Sequence, residues 1–130
     1  MRPERQIVES PAAPAPIGPY SHAVRAGGLL FCSGQIPLDP TGNDLVGENA
    51  VEQARQCLRN LSAVCEAAGA SLRDAVRLTV YMTDLSQFAA VGEVYAEFFD
   101  DAPPARAAVG VAALPRGAQV EIDAIVALGQ

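Results

Sequence analysis

A chain of 130 residues with 50% hydrophobic content suits one domain, residues 1–130, whose core needs no help from metal or disulfide. A net charge of −6 offers no basic field for a polyanion, which counts against nucleic acid and against an anionic membrane surface as partners. The opening MRPERQIVESP lacks the apolar heart of a signal peptide and no run reaches the length of a membrane span, so a cytoplasmic location with no membrane partner is expected.

A weak strand at Gln6 to Glu9 comes first. SPAAPAPIGPY then holds Pro11, Pro14, Pro16 and Pro19, which rules out helix and central strand and predicts a loop. His22 to Ala26 reads as a strand, Gly27-Gly28 as a tight turn and LLFCSGQI as the returning strand of a hairpin. PLDPTGNDLVG is turn-rich. From Asn49 the period changes: Val51, Ala54, Leu58, Leu61, Val64, Cys65 and Ala68 recur at three and four, predicting an amphipathic helix that stops at Gly69.

AVRLTVYMT alternates Val76, Leu78, Val80 and Met82 against Arg77, Thr79 and Tyr81, a half-buried strand. Asp84 or Ser86 then caps a second helix with the stripe Phe88, Val91, Tyr95, Phe98 and Phe99, ended by DDAPP. PARAAVGVAALPRGAQVEIDAI supplies a closing pair of strands joined by LPRGAQ. The order is β-β-β-α-β-α-β-β, an α+β pattern.

Two helices cover one face of such a sheet, so the other meets water or another subunit. A period of two puts Arg106, Ala108 and Gly110 opposite Ala105, Ala107, Val109 and Val111, and Gln119, Glu121 and Asp123 opposite Val120, Ile122 and Ala124. This places Arg106 and Glu121 on the helix-free face, together if their strands pair. A face of small residues with a few charges fits a homo-oligomer with those charges in or near the joint. A cross-strand ion pair that only sets strand or subunit register is the competing account, and residue types leave both open.

Cys32, Cys57 and Cys65 form no CxxC pair and lie in apolar surroundings, so they read as small buried hydrophobes. His22 is the sole histidine, too little for a zinc cluster or a Cys/His couple, and is assigned a structural role.

The passages IGPYSHAV, LLFCSGQIPLDPTG, EQARQCLRNLSAVCEAAGASLRDAVRLTVYMTDLSQF and PPARAAVGVAALPRGAQVEIDAI, in this order, resemble the Rid/YjgF family of reactive-intermediate deaminases along nearly the whole chain. The resemblance implies a chorismate-mutase-like α+β fold: a six-stranded mixed sheet, two helices on one face, and a homotrimer whose sheets form a barrel with sites in the clefts between subunits. It also implies hydrolysis of 2-imino or 2-enamino acids to 2-oxo acids and ammonia without a cofactor. Arg106 suits the substrate carboxylate because its planar fork is always charged and bidentate. Glu121 would position the attacking water and shuttle its proton. Tyr20 lies in a loop that matches the family's pocket loop and Ser33 matches a pocket residue; Gly34 lets backbone approach the ligand or else only permits the bend, and backbone amides near Ala107 and Ala108 would bind the carboxylate.

Two positions depart from the family pattern. Ala108 stands where many deaminating members carry cysteine, and Gly92 where they carry asparagine, three residues before the tyrosine of YAEFF. The first removes a thiol that hydrolysis does not need. The second removes a polar group from the pocket, which keeps open a different enamine such as a 2-aminomuconate-type compound. The family has also been labelled an endoribonuclease or a chaperone-like binding protein; the acidic balance counts against RNA.

Overall fold

The computed structural model describes residues 4–129. Its strands are β1 (Gln6–Val8), β2 (Ala23–Ala26), β3 (Leu29–Gln35), β4 (Ala75–Met82), β5 (Ala105–Gly110) and β6 (Val120–Ala127), with helices α1 (Ala50–Ala67) and α2 (Phe88–Val94). The element order is the one the periodicities predict.

Local chemistry explains the boundaries. Gly27 and Gly28 both take positive φ, 58° and 79°, the conformation that a two-residue hairpin turn needs between β2 and β3. Asn49 accepts from the Glu52 amide at 2.9 Å, and the Glu52 carboxylate returns to the Glu48 amide at 2.9 Å, so donors at the start of α1 find partners. At the other end Gly69 takes φ 72°, which lets the Ala70 amide reach back to the Cys65 carbonyl at 2.9 Å.

The second helix is shorter than its apolar stripe suggests. One 3-10 turn, Leu85–Gln87, precedes α2 and another, Tyr95–Glu97, follows it. Asp84 caps the first of these 3-10 turns, accepting from the Ser86 amide at 2.9 Å, whereas α2 itself begins behind Gln87 with no side-chain cap, so neither Asp84 nor Ser86 caps the helix proper. Because 3-10 and α turns repeat at nearly the same spacing, a stripe at three and four does not separate them.

The strand order is β1-β2-β3-β6-β4-β5. β6 runs antiparallel to both β3 and β4, whereas β5 pairs with β4 in parallel. The last two strands therefore do not pair with each other; β4 separates them. A parallel neighbour requires a crossover, and α2 provides it. The expectation for Val76 is also corrected. The register shifts between Ala75 and Arg77, and Val76 is turned outward, 44% exposed.

α1 packs on β3 and β6, and α2 packs on α1. Leu30, Leu58, Leu61, Leu78, Val80, Ile122 and Val126 are fully enclosed between these layers, each side chain worth about 1.5–3 kcal/mol by transfer. Among the described residues, no helix covers the opposite face. There the register aligns Ile7, Val24, Phe31, Ile125 and Arg77, with Ile7 60% and Phe31 43% exposed. Among the described residues, no helix is long and apolar enough to cross a membrane.

Candidate functional site

The proline-rich loop is held by the one histidine. His22 Nδ1 accepts from the Ser10 amide at 2.9 Å, and its Nε2 lies 2.7 Å from the Pro14 carbonyl, fixing the neutral ring with its proton on Nε2. His22 is buried, in keeping with the structural role assigned to it. The loop thereby walls a cavity of about 300 Å³ lined by Pro14, Ile17, Tyr20, Ser33, Gly34, Ile36, Leu38, Pro115 and Glu121, with Ala15 and Gln35.

Four of the expected site residues meet there. The Tyr20 hydroxyl accepts from the Ile17 amide at 3.3 Å, leaving its own proton for a ligand. Ser33 donates to the Ser21 carbonyl at 2.7 Å, so its oxygen is left to accept. Gly34 lies directly beneath the carboxylate of Glu121: a Cβ there would overlap Glu121 Oε2 and stand 3.0 Å from its Cδ. Glycine is required for Glu121 to lie flat over β3.

Glu121 is half-buried on β6. Burial first, and then the negative charge of Asp123 on the same face of the strand, raises its carboxyl pKa above the ordinary value. Tyr81 pairs with Glu121 across β4 and donates its hydroxyl to Asp123 at 2.9 Å. Burial, followed by that bond, pushes the Tyr81 phenol up as well. The arrangement is a carboxyl group, raised above its ordinary pKa, that can take and return a proton, facing a small and mostly apolar chamber.

Arg106 is elsewhere. Within one chain it does not share a face with Glu121, which corrects the sequence-based placement. The register pairs Arg106 with Leu78, a core residue, so its side chain is on the helix side of the sheet, while Glu121 pairs with Tyr81 on the other. The guanidinium carbon lies 4.6 Å from the centroid of the Phe88 ring and 5.2 Å from that of Tyr95. A second cavity, about 340 Å³, is bordered by Leu78, Tyr95, Pro103, Pro104 and Arg106. Gly92 is also here: a Cβ on it would lie 3.6 Å from Arg106 Nη1. Ala107 and Ala108 follow on β5, the last strand of the sheet, where alternate amides point away from β4 with no strand beside them.

The sequence profile of the Endoribonuclease L-PSP family matches residues 10–128. The chain belongs to this family, the Rid/YjgF group. The mouse protein named 2-iminobutanoate/2-iminopropanoate deaminase is 45% identical over 125 residues, 96% of this chain and 93% of its own. The crystal structure of RidA from an Antarctic Psychrobacter matches with a TM-score of 0.90 at 46% identity, over 95% of this chain and 99% of that one. TdcF of E. coli, solved with bound serine, matches with a TM-score of 0.89 at 41% identity, over 94% and 98% of the two chains.

In this Rid/YjgF chain the cysteines are all buried. A hydrogen bond shared with Cys65, followed by burial, holds the Cys32 thiol far above its ordinary range, and burial does the same for Cys57. Among the described residues, no group of three or more His, Cys, Asp and Glu side chains could hold a metal ion. Sequence reasoning missed Phe88 and Tyr95 as neighbours of Arg106, reading them only as a core stripe, and missed Tyr81 beside Glu121; it placed Asp123 on the Glu121 face of the strand without giving it a role there.

Proposed function

We propose that the protein hydrolyses 2-imino or 2-enamino acids to 2-oxo acids and ammonia, at a site completed by two copies of the chain in a homotrimer. The observation that carries this reading is the separation of Glu121 and Arg106. The Glu121 cavity has no cation among its lining residues, yet an imino acid brings a carboxylate. Arg106 sits exposed on the edge strand β5, on the far side of the sheet, and can serve a neighbouring subunit's cavity. The exposed apolar row on the helix-free face supports a joint between copies.

In the proposed reaction the Arg106 fork of one subunit holds the carboxylate in bidentate fashion, and outward amides near Ala107 and Ala108 assist. Glu121 of the other subunit takes a proton from water as its oxygen bonds to the C=N carbon, and delivers a proton to the nitrogen. Collapse of the resulting carbinolamine, with its hydroxyl proton passed through Glu121 to the amino nitrogen, forms the C=O bond and breaks the C–N bond, releasing ammonia. Tyr20 and Ser33 offer a donor and an acceptor at the chamber wall. All nine basic side chains are arginine, so no lysine is present for a Schiff-base route. Ile17, Ile36, Leu38 and Pro115 favour a small apolar side chain on the substrate.

The test is release of 2-oxo acid from 2-iminobutanoate formed in situ, with semicarbazide as competing trap. Wild type is expected to outrun the trap, and Arg106→Ala and Glu121→Ala to fall to background. Co-folding the two inactive variants restores about a quarter of the sites if each needs two subunits, by random assortment. No recovery in the mixture would place both groups in one subunit's site and overturn the shared cleft. Wild type no faster than buffer would overturn the reaction itself.

A further inference from the structure

We infer that Phe88 and Tyr95 are positioning residues that hold the Arg106 guanidinium plane for carboxylate capture, an inference resting on the role of Arg106 proposed above. Both rings stack on the same group, at 4.6 and 5.2 Å from its carbon, inside the roughly 6 Å reach of a cation–π contact. Among the described residues, none of the ion pairs involves Arg106; those that form use Arg55 and Arg73. The contrast with Arg55 is instructive. Arg55 is gripped by both oxygens of Glu97 at 2.8 and 2.7 Å, which offsets its charge locally and occupies two of its donors.

Aromatic rings grip differently. They attract the face of the guanidinium and leave its in-plane N–H groups to an incoming anion. Charge and donors stay available while the orientation is fixed. Burial raises the Tyr95 phenol's pKa, with the Arg106 charge and a hydrogen bond to Arg106 opposing the rise, so the phenol stays neutral beside the guanidinium. Gly92 contributes by absence: it adds no side chain between α2 and the guanidinium, leaving the two rings to do the orienting.

The experiment combines a spectroscopic and a kinetic reading on the whole protein. In 1H–15N spectra the Arg106 Nε–H resonance is expected to be shifted by ring currents, and Phe88→Leu and Tyr95→Leu each to move it toward its free position. KM for 2-iminobutanoate is expected to rise about two- to fivefold per ring lost, with kcat nearly unchanged, and Tyr95→Phe, which keeps the ring, to fall well short of the Tyr95→Leu effect. A resonance that stays put in both leucine variants, or a loss confined to kcat, overturns the clamp. Turnover unaffected by Arg106→Ala overturns instead the assignment of Arg106 as the carboxylate group. Phe88 is partly exposed, so leucine there is tolerated by the fold, and Tyr95→Phe guards against a variant lost to misfolding.

Discussion

β6 and β5 carry the two charges of the site under different physical constraints. β6 lies between β3 and β4, and its buried pattern alternates without a fault, so Val120, Ile122, Ala124 and Val126 define one face and Glu121 the other. β5 has a partner on one side only, and five of its six residues are exposed. In an interior strand, polarity reports which face a side chain takes. On an edge strand of small residues it does not, because neither face is enclosed enough to forbid a charge.

Gly34→Ala should break the β6 side most severely. The new methyl group would displace the carboxylate end of Glu121 from its seat, while the flexible side chain spares the fold. Loss of about 10²-fold in kcat/KM with an unchanged melting temperature is expected, since displacement of a reacting group by about 1 Å costs that much. Normal activity would show that Glu121 does not work from this position.

Asp123→Asn sharpens the same side. Glu121 acts as carboxylate when it takes the proton from water, so activity falls as pH drops through its raised pKa. Removing the Asp123 charge lowers that pKa and moves the acidic limb of the kcat/KM profile to lower pH. Asparagine retains an acceptor for Tyr81, and a limb that does not move would exclude Asp123 as the tuning charge.

The smallest expected effect is on the β5 side. Gly92 lies in α2 with ordinary negative φ, and an added Cβ makes only normal contact with Arg106. Gly92→Ala should therefore stabilise the protein by about 0.5–1 kcal/mol, seen as a melting temperature higher by about 2–6 °C, with KM little changed. A large rise in KM would mean that Gly92 leaves room for the substrate itself.

Much of the fold was legible because its signals are local. The period change at Asn49, the Gly27-Gly28 turn and the stop at Gly69 each follow from residues within a turn of one another. The sheet order was less so: whether β5 joins β4 or β6 depends on contacts distant in sequence, and the alternation of either strand suits both partners. At the site, Tyr20, Ser33, Gly34 and Glu121 were each singled out and are gathered in one cavity. The position of Arg106 was misread for the reason that separates the two strands. Its aromatic neighbours were hidden because a ring facing a cation and a ring facing the core occupy the same helical positions.

The histidine staple bears on the thermodynamics of ligand capture. Ser10 and Pro14 are tied to one buried ring, so much of the chamber wall is ordered when the chain folds and not when a ligand arrives. Affinity then reflects the fit of the occupant with little entropy spent on closing a loop. Calorimetry should find the heat capacity change of binding near that of the ligand's own buried surface, without the additional decrease that accompanies coupled folding.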